Sequence, residues 1–374
     1  MNVPTIFFIG TGVGRDLRGF EAHTIDLFNH VRNEKEFKTY LIRGGGVNTE
    51  QEITISSISR KSRTARVIGY LLRKNPYTIN QLSFLKGLIR LIYRMKPTTL
   101  YLGEPILFNH LCRWRNFSGM NFNMIFYTGG NTIPLKMREN DVLQLVTPSV
   151  ISLALKRGVH RKQMIHLPHF INIPAERIND TRDVKEKLGI SADRKIVLSV
   201  GAIDSSVKRM DYLIEEISKL NSSCFLILLG EEELETPHIK MLAEQKLGAG
   251  NYYINRIERN ELTTFYQIAD VFVLASLKEG FGLVTIEALI HGLPVIVHDH
   301  EVSRYVLREN AFFEDLSKEG NLTRAIEKVL LEAGNVSKKK ERRDYVIDRF
   351  SWNNVSKDYL RMIQTAIQVT GSEK

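Results

Sequence analysis

VFVLASLKEGFGLVTIEALIHGLPVIVHD, residues 271–299, reads as strand, turn, helix and strand in that order. Residues 271–275 are apolar without alternation and rich in β-branched and aromatic side chains, the pattern of a strand covered on both faces. Glu279, Gly280, Phe281 and Gly282 form a turn, a helix is expected from about Leu283, and Gly292 and Pro294 lead into a second apolar run at 294–297. Two glycines around one aromatic let the main chain approach a ligand closely. Leu283 and Val284 open the helix, and amides in that place carry partial positive charge, so they offer a seat to a diphosphate. Glu279 stands just before this seat and Glu287 eight residues later. Each carboxylate can accept hydrogen bonds from sugar or ribose hydroxyls.

The same alternation extends along the chain. Strand-like runs occur at 5–9, 98–102, 124–128 and 143–147, and again at 195–200, 224–229 and 252–257, with helical patterns between them. A chain of 374 residues exceeds one hydrophobic core. Two doubly wound α/β domains are therefore expected, over residues 1–175 and 176–350, with a last segment at 351–374. The joint is placed in NIPAERINDTRDVKEK, residues 172–187, which is polar and densely charged. A second candidate piece lies in VGAIDSSVKRMDYLI, residues 200–214, where a strand ends in Gly201 and Lys208 and Arg209 lie in the loop beyond. A cation at a strand's carboxyl end can neutralise charge growing on a departing diphosphate. Two loop bases can equally be solvated side chains without a role.

Taken together, these segments resemble the family-four retaining glycosyltransferases, with the E-x7-E signature at Glu279 and Glu287, an E-G-F-G-L core and an E-A-L…G-x-P-V continuation. The resemblance implies a GT-B fold, two Rossmann-like domains facing a central cleft, the first binding acceptor and the second the nucleotide sugar. It gives Glu279 to the donor hexose, Glu287 to the nucleotide ribose, and Gly280, Phe281, Gly282, Leu283 and Val284 to sugar and phosphate contacts. Lys208 matches the family's lysine. Its arginine position is Ala202, and Arg209 replaces the glycine after the lysine, so Arg209 is the candidate for the missing charge. Gly230 matches the nucleotide-side turn, and the stretch 253–257, which includes Arg256, the part that meets the base. In the first half, Gly19 matches a glycine that approaches donor phosphate, with Arg18 in place of its glycine partner, while Gly10-Thr11-Gly12-Val13-Gly14 is a weaker Rossmann-like loop. Thr128-Gly129-Gly130-Asn131 stands where the family often has a histidine. Phe350-Ser351-Trp352 resembles the opening of the family's last helix, which crosses back to the first domain and makes Trp352 a packing residue.

Charge is unevenly spread. Residues 53–103 hold ten Lys or Arg and no Asp or Glu, whereas residues 1–52 carry six bases and seven acids. Such a field suits an anionic partner, either a phospholipid surface, a lipid-linked phosphate or nucleic acid. Within it, Leu82, Leu85, Ile89 and Ile92 recur at helical spacing beside Lys86, Arg90 and Arg94. That helix is either a core helix with solvated bases or a surface for an anionic membrane reached through residues 60–96. No RNA-module motif accompanies the basic stretch, and nucleic acid is not expected.

The resemblance implies a hexosyltransferase that retains anomeric configuration, uses no metal or other cofactor, and takes UDP-glucose or a similar UDP-hexose, with GDP-mannose second. The acceptor is expected to be a glycan or lipid-linked. A sugar-nucleotide epimerase or phosphorylase of the same fold and a basic nucleic-acid-binding protein are the rival readings. The two cysteines, Cys112 and Cys224, lack metal-like spacing, and MNVPTIFFIGTG reads as a first strand rather than a signal peptide. A reducing, cytoplasmic setting follows as an expectation, with peripheral attachment to the inner face of the plasma membrane.

Overall fold

Apolar strands with no polar face must be covered on both sides, and the chain does this twice. The computed structural model describes residues 3–368 apart from 17, 131, 135–136, 175–180, 221–223 and 333–334. In the first sheet, β1 (Thr5–Gly10), β2 (Lys38–Arg43), β3 (Glu52–Thr54), β4 (Thr99–Leu102), β5 (Asn123–Tyr127), β6 (Val142–Leu145) and β7 (Met164–His166) lie in the order β3-β2-β1-β4-β5-β6-β7. All its pairings are parallel. The helices between are α1 (Gly19–Val31), α2 (Arg63–Leu72), α3 (Pro76–Met95), α4 (Pro105–Ser118) and α5 (Ile151–Lys156). Phe7, Phe84, Leu88, Leu100, Phe108 and Phe126 are among the buried side chains of its core.

In the second part, α6 (Thr181–Lys187) precedes β8 (Ile196–Val200), α7 (Met210–Ile217), β9 (Phe225–Leu229), α8 (Thr236–Leu247), β10 (Tyr252–Asn255) and α9 (Leu262–Ile268). Then come β11 (Val271–Leu274), α10 (Leu283–Ile290), β12 (Val295–His298), α11 (Glu301–Leu307), β13 (Phe312–Glu314), α12 (Asn321–Glu332), α13 (Val336–Phe350) and α14 (Trp352–Gln368). The strand order is β10-β9-β8-β11-β12-β13, again parallel throughout. In both sheets the winding reverses beside the first strand, between β1 and β4 and between β8 and β11. Open α/β sheets bind ligands at the carboxyl ends of the strands flanking such a reversal.

The chain divides into one unit of residues 1–169 with 355–374 and another of residues 170–354. This division falls six residues before the expected boundary at 175, because residues 170 and 171 already pack in the second unit. The Ile171 amide donates to the Phe350 carbonyl at 2.9 Å, and Phe170 lies against Trp352 with ring centroids 4.8 Å apart. Part of the polar stretch 172–187 lies outside the described residues. From Val355 onward, α14 belongs to the first unit. There the Asn123 amide donates to the Ala366 carbonyl at 2.6 Å, and the Gln144 amide to the Tyr359 hydroxyl at 3.1 Å.

The basic segment forms two helices. α3 starts at Pro76 because Asn75 caps it: its Oδ1 accepts from the Thr78 amide at 2.7 Å and Pro76 fits the first position. Phe84, Leu88, Leu91 and Ile92 are buried, and Leu85 and Ile89 pack against the same core, while Lys86, Arg90 and Arg94 are exposed. α3 is thus a core helix with solvated bases. α2, capped by Ser62, was not anticipated. It buries only Ala65 and Gly69 and exposes Val67 (59%), Tyr70 (86%), Leu71 (73%) and Leu72 (58%).

Candidate functional site

At the reversal of the second sheet, β8 ends at Val200 and β11 at Leu274, and the loops that follow them carry most of the expected residues. After β8 the chain is tightened by Asp204. Its Oδ1 accepts the amides of Val207 and Lys208, each at 2.7 Å, and its carbonyl accepts the Met210 amide at 2.9 Å. This turn fixes the Lys208 backbone, and its side chain folds back over Gly201. A Cβ built on Gly201 would lie 3.0 Å from Lys208 Cε, so the absent side chain gives the lysine stem its place. Lys208 Nζ then reaches Glu279 and forms a hydrogen-bonded ion pair with it. Both side chains are largely covered, at 18% and 17% exposed.

Gly230 closes the same corner. Its φ is +150°, and a Cβ there would sit 1.8 Å from the Gly201 carbonyl oxygen, so no side chain fits. The Gly201 amide donates to the Leu229 carbonyl at 2.9 Å, and the Gly230 amide to the Asn255 carbonyl at 3.1 Å. Arg256 next to it pairs with the buried Glu231 at 3.3 Å.

α10 begins at Leu283, as read from the sequence, with Gly282 in left-handed conformation (φ +81°) as its cap. The Gly282 carbonyl accepts from the Thr285 amide at 2.8 Å and from the Thr285 hydroxyl at 2.6 Å. The amides of Leu283 and Val284 open the helix, where no intrahelical acceptor exists for them. Phe281 is buried and meets Phe350 edge to face at 5.8 Å. Its ring therefore fixes the loop, and only its main chain and that of Gly280 are left for a ligand. Glu287 lies on α10, where its carboxylate accepts from the Tyr266 hydroxyl at 3.1 Å and from Arg259 Nη2 at 3.4 Å. Burial and the Glu287 charge raise the Tyr266 hydroxyl well above its ordinary range, so it stays a donor.

Arg209 departs from a simple charge donor. It caps α7 in a left-handed conformation (φ +53°), which costs a non-glycine residue about 1 kcal/mol or more. Its Nη1 donates to the carbonyls of Leu316 at 2.7 Å and Ala275 at 3.2 Å, and its guanidinium lies over the Tyr212 ring at 4.1 Å. The same side chain thus ties the carboxyl end of β11 to the loop after β8 while bringing a cation there.

The remaining expected residue, Gly19, is the exposed first residue of α1 in the first unit. The glycine loop before it is filled by acids. A Cβ on Gly12 would lie 2.3 Å from Glu21 Oε1 and 3.0 Å from Asp16 Oδ2. At the reversal between β1 and β4 stands Glu104, which sequence reasoning passed over. Its Oε1 accepts the Thr11 amide at 2.7 Å, joining the ends of the two strands. Burial, opposed by that hydrogen bond, pushes its carboxyl up to about 7. Its sequence signal was its place: the first acid after fifty-one residues without one, immediately beyond a strand in YLGEP. Asn131, where a histidine is absent, lies outside the described residues.

Residues 180–347 match the family model described as glycosyl transferases group 1. The matched segment lies within the second unit and is similar to the group 1 glycosyltransferases. Alpha-monoglucosyldiacylglycerol synthase of Acholeplasma laidlawii is 33% identical over 138 residues, covering 35% of this chain and 32% of that protein. The first curated relatives align with this chain over about half of their own length or less. Among solved structures, a glycosyltransferase from Rickettsia africae superposes with a TM-score of 0.74 at 18% identity over 100% of both chains. Anabaena HepE in complex with UDP and glucose gives 0.72 at 12% identity, covering 97% of this chain and 100% of that one. Together with the two parallel sheets, these likenesses make the fold GT-B. The matched residues include Lys208, Glu279 and Glu287.

Proposed function

We propose that the chain is a retaining, metal-independent hexosyltransferase that takes its sugar from a nucleotide diphosphate, a UDP-hexose first and GDP-mannose second. The carrying observation is the Lys208–Glu279 pair at the β8/β11 reversal, next to the opening amides of α10. In this reading the diphosphate lies against those amides and Lys208, with Arg209 as a second cation. Glu279 accepts from hexose hydroxyls, and Glu287, oriented by Tyr266, from the ribose. Gly230 and Arg256 border the nucleotide. The C1–oxygen bond to phosphate breaks, the acceptor oxygen bonds to C1 on the same face, and the acceptor proton passes to the leaving diphosphate. The protein supplies position and electrostatics, so neither glutamate acts as a nucleophile.

The acceptor is read as a glycan or lipid-linked glycan used in polysaccharide or glycolipid synthesis. The A. laidlawii relative, by its name, makes a glycolipid. Melting curves with a panel of sugar nucleotides test the donor. A ligand at a hundred times its dissociation constant adds about 2.7 kcal/mol of stability. One UDP-hexose is expected to raise the melting temperature and to yield UDP together with a glycosylated acceptor. An epimerase would give no nucleotide diphosphate, and a panel without any shift or transfer would overturn the proposal.

Peripheral attachment to the inner face of an anionic membrane forms part of this reading, and α2 rather than α3 is its support. Among the described residues no helix is long and apolar enough to cross a membrane. Val67, Tyr70 and Leu71 share the spacing of one helical face, and the exposed Arg63, Arg66, Arg73 and Lys74 surround them. Apolar side chains with basic neighbours suit the headgroup layer, where each base contributes about 1 kcal/mol. Paired Tyr70→Glu and Leu71→Glu changes are expected to cut flotation with anionic vesicles by about tenfold or more, at unchanged melting temperature. Equal flotation of the variant, or a DNA shift in place of vesicle binding, would refute it.

A further inference from the structure

The first unit holds a cavity of about 310 Å³ at the amino ends of β5 and β6, at the end of the sheet opposite the carboxyl ends of β1 and β4. Its lining includes Arg115, Arg138, Arg157, Cys112, Asn116 and Gly158 and, among the described residues, no carboxylate. Arg115 is fully buried and paired with Asp141, Nη1 to Oδ1 at 2.8 Å and Nη2 to Oδ2 at 2.7 Å. Its Nη1 also donates to the Phe122 carbonyl at 2.7 Å, and its buried Nε has no acceptor among the described residues. Asp141 is saturated, since it also accepts the amides of Met124 at 2.9 Å and Arg138 at 2.7 Å. Its hydrogen-bonding positions are filled, while its charge still acts on Arg138.

The other two arginines are held by neutral acceptors. Arg138 Nε donates to Asn116 Oδ1 at 2.8 Å, and Arg157 Nη1 to the Ile133 carbonyl at 2.7 Å. Such bonds fix the side chains without cancelling their charge. Burial first, and then the Arg115 charge opposed by that of Asp141, hold Arg138 below the ordinary arginine range. Two cations held at a cavity, beside a buried N–H without an acceptor among the described residues, are the complement of a multi-oxygen anion.

We infer that this cavity binds the phosphoryl group of a small phosphorylated anion, with Arg138 and Arg157 as its principal ligands. The site is separate from the donor seat of the second unit, and the inference does not depend on the transferase reading. Its volume leaves room beyond one phosphoryl group, so a sugar phosphate or a diphosphate is accommodated as well as free phosphate. A bound anion would also tie together the turn after α5, the end of α4 and the segment leading into β6.

Calorimetric titration with inorganic phosphate and, in a second arm, pyrophosphate at low ionic strength tests this. Saturable binding is expected in the wild type and in Lys208→Ala, and binding weaker by about tenfold or more in Arg138→Ala and in Arg157→Ala. Tighter binding of pyrophosphate than of phosphate would identify a diphosphate as the fitting class, and the reverse a single phosphoryl group. Arg157→Lys keeps the charge without the fork and is expected to bind between wild type and alanine, which also serves if an alanine variant fails to fold. No saturable heat in the wild type, equal binding in the cavity variants, or loss in Lys208→Ala alone would overturn the assignment.

Discussion

Glu279→Ala is expected to lower the transfer rate by about a thousandfold or more while UDP binds within about threefold of wild type. In the proposed reaction positive charge develops at the hexose, and hydroxyls held by a carboxylate bind more strongly in that state than in the ground state. In the same proposal nucleotide affinity draws on α10 amides, Glu287 and Lys208, none of which the substitution removes. Deleting the carboxylate also leaves the Lys208 ammonium without its partner, which favours a diphosphate rather than opposing it. Glu279→Gln keeps the shape and one acceptor and is expected to fall between the two. Turnover of a labelled sugar beside calorimetry with UDP gives both quantities. Near-wild-type turnover by the alanine variant would remove Glu279 from the chemistry.

For Lys208→Ala we expect kcat lower by about a hundred- to a thousandfold, with a smaller change in KM. The ammonium faces charge that is greatest on the leaving diphosphate, so its loss weighs more on the transition state than on binding. An unchanged kcat with raised KM would make Lys208 an anchor. Since Lys208 and Glu279 touch, their effects are not independent, and the double variant is expected to lose less than the product of the two single losses.

The central strands were legible because they are apolar on consecutive residues. β2, β3, β7 and β13 were not. β2 mixes polar with apolar residues in KTYLIR, and the other three span three residues each, too short for any period to show. The start of α10 was legible from Gly282, which alone there adopts a left-handed cap easily. Lys208 and Glu279 could each be named, but not their pairing, because they stand 71 positions apart and meet only through the register of β8 beside β11. The same holds for Arg209, whose acceptors are the main-chain oxygens of distant residues. α2 failed for another reason. Apolar residues at helical spacing resemble a core face, and only the small pair Ala65 and Gly69 indicated that the opposite side packs.

If the proposed donor seat is correct, the contact between Lys208 and Glu279 means that it arrives already neutralised. An incoming sugar nucleotide must take the ammonium from the carboxylate, and only a ligand that offers the freed Glu279 hydroxyls in exchange recovers that loss. Free pyrophosphate or UDP lacks this second half, so the seat discriminates in favour of loaded donor over spent nucleotide. In the proposed cycle the glutamate would then reclaim its lysine, and that reunion would help expel the diphosphate.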